Sequence, residues 1–521
     1  MHRYNRQSHL GPSPNKVLTI VDVELLRPQP RLQVIGPTFI FRLPDELLVS
    51  IIELAVFEEY SWHGCSACRV HPNAKSAKAL SRVCRRISSI AQPMLFHTIK
   101  FEGTPSTVPP KKPVIRLYHA LRKNPSLRQH CKCLSIGVSD IPPATKTEDY
   151  AVASDLAQWL TGVRCLENYG GFEGPNVHTW SLIRNLARNM RDVQHWRLCR
   201  EGWGLYLHQV VKEVTFPKLA KLELHGISEW KTHSLQLDAK TLRTAPLTSL
   251  SMSDYEETPL STALFLQWPA ALEHFVFSSF YNNRSTMTYP MFQSWLSIQR
   301  ETLRSIDIGY LSGDGDNNKH IFDATIFPHL ESLGLSRWQM GHSGALLPFT
   351  AENASLLGPK VKHFKWCFHI YDQHSESWED FGEKEEAWVR ELGKAAIARK
   401  SLLETIEIQF RPDDWNAVGK DEYPWDWMDH IRDELLRPNR MNLIYGMPPM
   451  AKEEWLTGRE ERAARGPADE MECYEDVTEM AAEIETETEN KIRAQTPPGY
   501  HGRDIREYFG CLKSDAAVLN A

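Results

Sequence analysis

The chain has 521 residues, 42% of them hydrophobic and 24% charged, with a formal net charge of −6. That is an ordinary globular composition, long enough for about three domains or one long repeat array and able to bury a core without disulfides or metals. The charge is uneven, with 17 acidic and 9 basic side chains in residues 449–521; nothing forms the basic stripe that grips nucleic acid, so nucleic acid is not an expected partner.

Residues 1–38 read as a polar, proline-bearing arm, and Met1–Lys16 lack the apolar centre of a signal peptide. No apolar run reaches the ~18 residues that a membrane span needs, so no membrane partner is expected. The ten cysteines are scattered. Together these features point to the cytoplasm or nucleus, with reduced thiols.

Residues 39–102 are dense and helical. The run FRLPDELLVSIIELA (Phe41–Ala55) places Leu43, Leu47, Leu48, Ile51, Ile52 and Ala55 at the spacing of one helix face. Pro44 suits the first turn, and Asp45 and Glu46 sit at the positive end of the helix dipole. A second helix is predicted over Ser76–Gln92, with Leu80, Val83, Cys84, Ile87, Ile90 and Ala91 on its apolar side, basic residues opposite, and Pro93 as its stop. Between the helices, His63, Cys65, Cys68 and His71 crowd four potential zinc ligands into one short loop. Structural zinc sites usually draw ligand pairs from separated segments, so no metal is expected there.

Three ordered pieces, LPDELLVSII, ALSRVCRR and AQPMLFHTI, resemble an F-box as found in fungal proteins. The resemblance runs from Leu43 to Ile99, and departs from the family in the insert Phe57–Ala74 and in Ile87, where many members carry tryptophan. It implies docking on a Skp-type linker protein, which bridges to a cullin. Matched to the family's leading motif are Leu43, Pro44, Leu47, Leu48 and Ile51. Matched to its later motif are Leu80, Val83, Cys84 and Ile87. The physics agrees with such a role, because a small three-helix unit with two apolar faces can bury only one internally.

Residues 103–126 read as a Pro-rich linker and a first helix. Over 127–448 a phrase recurs: apolar, two residues, apolar, one residue, apolar. Its clean copies are Leu219-Leu222-Leu224, Leu247-Leu250-Met252, Leu272-Phe275-Phe277, Leu303-Ile306-Ile308, Leu330-Leu333-Leu335, Val361-Phe364-Trp366 and Leu403-Ile406-Ile408. Weaker copies are Cys131-Leu134-Ile136, Val193-Trp196-Leu198 and, one residue out of step, Val163-Leu166-Tyr169. The last two apolar positions share one face of a short strand, and helical spacing between copies (Thr179–Asn189, Trp388–Ala398) supplies the return. The predicted fold class is therefore α/β: a helical N-terminal module, then an irregular solenoid of parallel strands with outer helices, resembling a leucine-rich-repeat array but without its regular Asn or Cys ladder. Residues 449–521 form an acidic tail.

Residues between the apolar positions face outward and are the expected target-binding set: Lys221, Glu223, His225, Ser251, His274, Asp307, Lys365 and Glu407. Gly313–Asn318 lacks the glycine and glutamate of a calcium loop. No phosphate loop, dinucleotide fingerprint or nucleophile elbow occurs, so no cofactor and no catalysis are expected. The F-box resemblance implies a substrate-recognition adaptor of an SCF-type ubiquitin ligase that holds an unknown protein target. The alternative is a non-catalytic repeat scaffold without ubiquitin transfer.

Overall fold

A computed structural model describes residues 42–59, 70–102, 112–138, 147–170, 178–200, 205–228, 235–279, 287–311, 321–342, 345–346, 348–370, 376–412 and 422–465. The N-terminal arm, His63, Cys65 and Cys68 of the crowded loop, residues 103–111, Gly313–Asn318 and most of the acidic tail lie outside these. The chain divides into two compact units, Met1–Thr98 and Ile99–Ala521.

The first unit holds three helices, α1 (Asp45–Val56), α2 (Ala74–Leu80) and α3 (Arg85–Met94), and a small antiparallel pair, β1 (Phe57–Glu59) with β2 (Val70–Pro72). Pro44 stands just outside α1 as its N-cap, and Asp45 and Glu46 fill the first turn. Asn73 caps α2 by accepting hydrogen bonds from the Lys75 and Ser76 N–H groups at 3.0 and 3.2 Å. The single helix predicted over Ser76–Gln92 is broken. Arg82 and Val83 donate to the carbonyls three residues back, and Cys84 turns extended to cap α3, its Sγ 3.4 Å from the Ile87 N–H. The break lets Leu80 and Ile87 both turn inward while Val83 swings out. Pro93 sits in the last turn of α3 and does not stop it.

The second unit is built on a twelve-stranded sheet whose spatial order follows the sequence. Its strands are β3 (Thr98–Glu102), β4 (Cys133–Val138), β5 (Cys165–Gly170), β6 (His195–Arg200), β7 (Lys221–Ser228), β8 (Ser249–Glu256), β9 (His274–Ser279), β10 (Ser305–Ile308) and β11 (Ser332–Ser336). After an inserted pair, β12 (Gly341–His342) and β13 (Ala345–Leu346), come β14 (His363–Cys367), β15 (Thr405–Gln409) and β16 (Asn442–Tyr445). Neighbours from β4 to β16 run parallel, as the repeat phrase requires. Each unit thus buries its apolar row against the units before and after it, and the fold is the expected α/β solenoid.

All seven clean copies lie in register, Leu222 against Leu250 and Phe275, and on through Ile306, Leu333, Phe364 and Ile406, all buried. The copy read as out of step is not. Leu166 aligns with Leu134 and Trp196, and the third position is Asn168, aligned with Ile136 and Leu198. Asn168 is 1% exposed, and its Oδ1 accepts from Trp196 Nε1 at 2.8 Å. Tyr169 lies one position on.

The missing Asn ladder has a backbone substitute. From β4 to β14 the carbonyl just before a strand accepts two N–H groups from the next unit, as in Lys132 from Arg164 and Cys165, Thr248 from Glu273 and His274, and Lys362 from Glu404 and Thr405, all at 2.8–3.0 Å. Each strand start is therefore tied to the next without a dedicated side chain.

The outer layer is irregular. Helices α4 (Lys112–Lys123), α5 (Thr147–Trp159), α6 (His178–Asn189), α7 (Leu207–Glu213), α8 (Pro259–Phe265) and α9 (Tyr289–Leu296) give way to single 3₁₀ turns at Ala324–Ile326 and Ala351–Leu356. The longest helix is α10 (Glu383–Ala398), followed by α11 (Pro424–Ile431) and α12 (Lys452–Arg465). The aromatic run at Tyr423–Trp427 supplies Tyr423 and Trp425 to a buried cluster with Trp378, Phe410 and Trp455. These rings close the C-terminal end of the core.

Candidate functional site

Two surfaces collect the residues that the sequence singled out, one in each unit. In the first, α1 has two apolar faces. Leu48, Ile52 and Val56, four residues apart, turn inward and form a core with Ala77, Ile87, Ala91 and Met94. Leu47, Ile51 and Leu54 turn outward and are 53%, 42% and 84% exposed. Val83, in the break between α2 and α3, is 56% exposed. A run of exposed leucine and isoleucine along one helix costs hydration free energy that a partner can recover.

This sorts the nine expected docking residues. Leu47, Ile51, Val83 and Pro44 are exposed, and Leu43 is half-buried. Leu80 and Cys84 are half-buried against the core. Leu48 and Ile87 are corrections: they close the module's own interior, because so small a unit needs its long side chains to exclude water from itself. Leu54 was missed. It lies outside the matched motif, although it continues the stripe from Leu47 at a spacing of seven. The start of α1 is held by Arg86, which donates to Asp45 Oδ1 at 2.8 Å from Nε and to the Leu43 carbonyl at 2.6 Å from Nη2.

In the second unit all eight expected target residues lie on one face of the sheet. Lys221 and His274 occupy the first outward row. Glu223, Ser251, Asp307, Lys365 and Glu407 occupy the next, and His225 the last. Most are already engaged by neighbouring side chains. Glu223 accepts from Lys221 Nζ at 2.5 Å and lies 2.9 Å from His195 Nε2, beside the Arg197–Glu167 pair at 3.1 Å. Lys365 bridges over Gly334 to Asp307, two strands away. Burial opposes the Lys365 charge, but the attraction and hydrogen bond of Asp307 more than offset it and hold the ammonium above its usual range. Glu407 meets His363 at 3.0 Å, and that bond keeps its carboxyl below the usual range. Between these two networks the first two outward rows carry no Asp, Glu, Lys or Arg, only Ser249, Ser251, the exposed His274 and Val276, Ser305 and Ser332.

The sequence reading placed His225 on this face but not the acidic residues that gather around it. Strand β8 bulges between Met252 and Tyr255, and Asp254 adopts φ 51°, the left-handed region. His225 is held from both sides, its Nδ1 2.9 Å from Ser253 Oγ and its Nε2 2.8 Å from Asp254 Oδ2. Asp254 Oδ1 is buried and has no hydrogen-bond partner among the described residues. Burial also raises the Glu256 carboxyl, against the pull of Arg200 at 3.8 Å. Asp tolerates a left-handed backbone, but the phrase that marks the strands ends at Met252, so no periodic signal reaches this far.

Among the described residues no group of three or more His, Cys, Asp or Glu is placed to hold a metal ion, and no helix is long and apolar enough to cross a membrane. Cys84, Cys131, Cys165, Cys199 and Cys367 are free, whereas Cys133 is disulfide-bonded, against the expectation of reduced thiols throughout. Composition counts sulfurs but does not say which two meet.

No family model matches the sequence, and no curated protein matches it. Among solved structures, a chain in the crystal structure of the Rad7 and Elc1 complex in yeast is 12% identical, with a TM-score of 0.33, over 79% of this chain and 91% of that chain. At that level of overlap the likeness says nothing about what this chain does.

Proposed function

We propose that the chain is a substrate-recognition adaptor of a cullin-RING (SCF-type) ubiquitin ligase. The module at 39–102 docks a Skp-type linker and through it a cullin, and the repeat region at 127–448 holds a protein target. The adaptor performs no bond chemistry; it raises the effective concentration of the target beside the ligase.

One observation carries the reading: the outward stripe Leu47, Ile51 and Leu54 on α1, with Val83 also exposed, on a unit that already has a core of its own. Full burial of one such side chain contributes about 1.5–3 kcal/mol, so a few anchors suffice for a stable complex. On the target side, the charged residues of the face are largely satisfied by their neighbours. They act mainly to hold the surface in shape, and the uncharged strip around Ser251, His274 and Val276 is the part left to receive a target.

The test is capture of a purified Skp-type linker by the full chain and by the variant Leu47→Asp with Pro44→Ala. Both residues are exposed, so the variant keeps the helical core. Loss of capture is the expected result; undiminished capture removes the proposal.

A further inference from the structure

The segment that carries α2 and α3 is unbalanced in charge. Residues 74–94, AKSAKALSRVCRRISSIAQPM, contain Lys75, Lys78, Arg82, Arg85 and Arg86 and no aspartate or glutamate. Arg86 is engaged by Asp45 and the Leu43 carbonyl. Lys75, Lys78, Arg82 and Arg85 are exposed and make no ion pair among the described residues. Val83, an exposed apolar side chain, lies between Arg82 and Arg85 in the break that separates α2 from α3.

From this we infer that the module selects its partner by charge as well as by apolar fit: the partner's docking surface is an acidic protein surface with an apolar recess for Val83. The inference rests on the linker-docking reading and adds to it the chemistry of the partner. An acidic rim around an apolar centre answers both features of the α2–α3 turn. A nucleic acid would answer only one, since phosphates neutralise the cations but leave Leu47, Ile51, Leu54 and Val83 in water. The chain's overall charge of −6 also repels a long polyanion, whereas a local basic patch acts within one screening length, about 8–10 Å. Cations at the rim of an interface chiefly speed encounter and make it salt-sensitive, while the apolar contacts hold the complex.

The experiment titrates the purified full chain with a purified Skp-type linker at about 50 mM and about 500 mM NaCl, a range over which rim charges pass from weakly to strongly screened. The wild type is compared with Arg82→Glu plus Arg85→Glu, with Arg82→Lys plus Arg85→Lys, and with Leu47→Asp. Both arginines are exposed, and matched thermal melts check that the fold is kept. The expected result is a wild-type affinity that falls about tenfold or more with salt. The Glu variant should be weak at low salt and nearly salt-independent, and the Lys variant close to wild type. Equal binding by the wild type and the Glu variant at low salt, with Leu47→Asp inactive, overturns the inference and leaves the docking reading standing. No binding by the wild type at either salt overturns both. A labelled single-stranded oligonucleotide is titrated in parallel. If it binds and loses binding in the Glu variant while the linker does not, the patch belongs to nucleic acid and the inference falls.

Discussion

The pair Asn168–Trp196 offers a sharp test of how the repeat core is held. Asn168 occupies a position where the aligned residues on either side are Ile136 and Leu198, and its one visible task is to accept the hydrogen bond of a fully buried indole at 2.8 Å. Replacing it by leucine restores the apolar row but leaves Trp196 Nε1 unsatisfied, at a cost of about 1–3 kcal/mol less whatever the added aliphatic burial returns. Replacing Trp196 by phenylalanine leaves the Asn168 carbonyl unsatisfied, a similar loss, and adds roughly 1 kcal/mol for the vacated volume against Phe216, whose ring centroid lies 5.0 Å away. In the double variant Asn168→Leu with Trp196→Phe neither polar atom remains, so only the volume loss persists. The double variant should therefore be more stable than Trp196→Phe alone, with a coupling of about 1–2 kcal/mol. Urea unfolding followed by far-UV circular dichroism measures it, provided the slopes of the four transitions agree. Single effects that add to within about 0.5 kcal/mol would refute the account of Asn168 as a partner for the indole.

Four further outcomes are expected. Leu54→Ala should weaken linker binding about tenfold while leaving stability within ~0.5 kcal/mol, because the side chain is already in water. Leu48→Ala should instead cost on the order of 3–5 kcal/mol and melt the module, and calorimetry beside a binding titration separates the two. Gly334→Ala places a Cβ 2.5 Å from Asp307 Oδ1 and 2.8 Å from Lys365 Cε, so it should part that ion pair at a cost of about 1–3 kcal/mol. Lys365→Met added to it should cost little more, and a larger loss would show that the pair survives. Burial pushes the Asp380 carboxyl up to about 6, above its unfolded value, so its contribution to stability is full at acid pH and is lost as pH rises through 6. Asp380→Asn, which keeps an acceptor for the Ser377 N–H, should raise the melting temperature at about pH 7 and not at about pH 4; equal shifts would contradict the assignment.

Much of this architecture was legible in order. The spacing in Leu222-Leu224 or Ile306-Ile308 states which side chains share a strand face, and a recurrence of similar length states that successive strands stack, because both follow from the geometry of one extended chain. The same local logic gave α1 as a helix with one apolar face running from Leu43 to Ala55, which the structure divides in two. What periodicity could not say was which face closes on the module itself. Leu47 and Leu48 are adjacent and chemically identical, yet one is exposed and the other is core, a choice made only when α2 and α3 arrive. The break at Ser81–Cys84 is of the same kind, since it trades helical continuity for placing Leu80 and Ile87 in one interior.

The outward face was located correctly, but its state was not readable. Lys365 finds Asp307 across a strand that happens to carry glycine, and Asn168 finds an indole one unit on; both partners are remote in sequence and near only through the register of the sheet. Local spacing fixes which way a side chain points. Whether it then meets water, a counter-charge or a neighbour's orphaned donor depends on residues brought together from about 25–60 positions away by the stacking of repeats, and that is decided by tertiary structure alone.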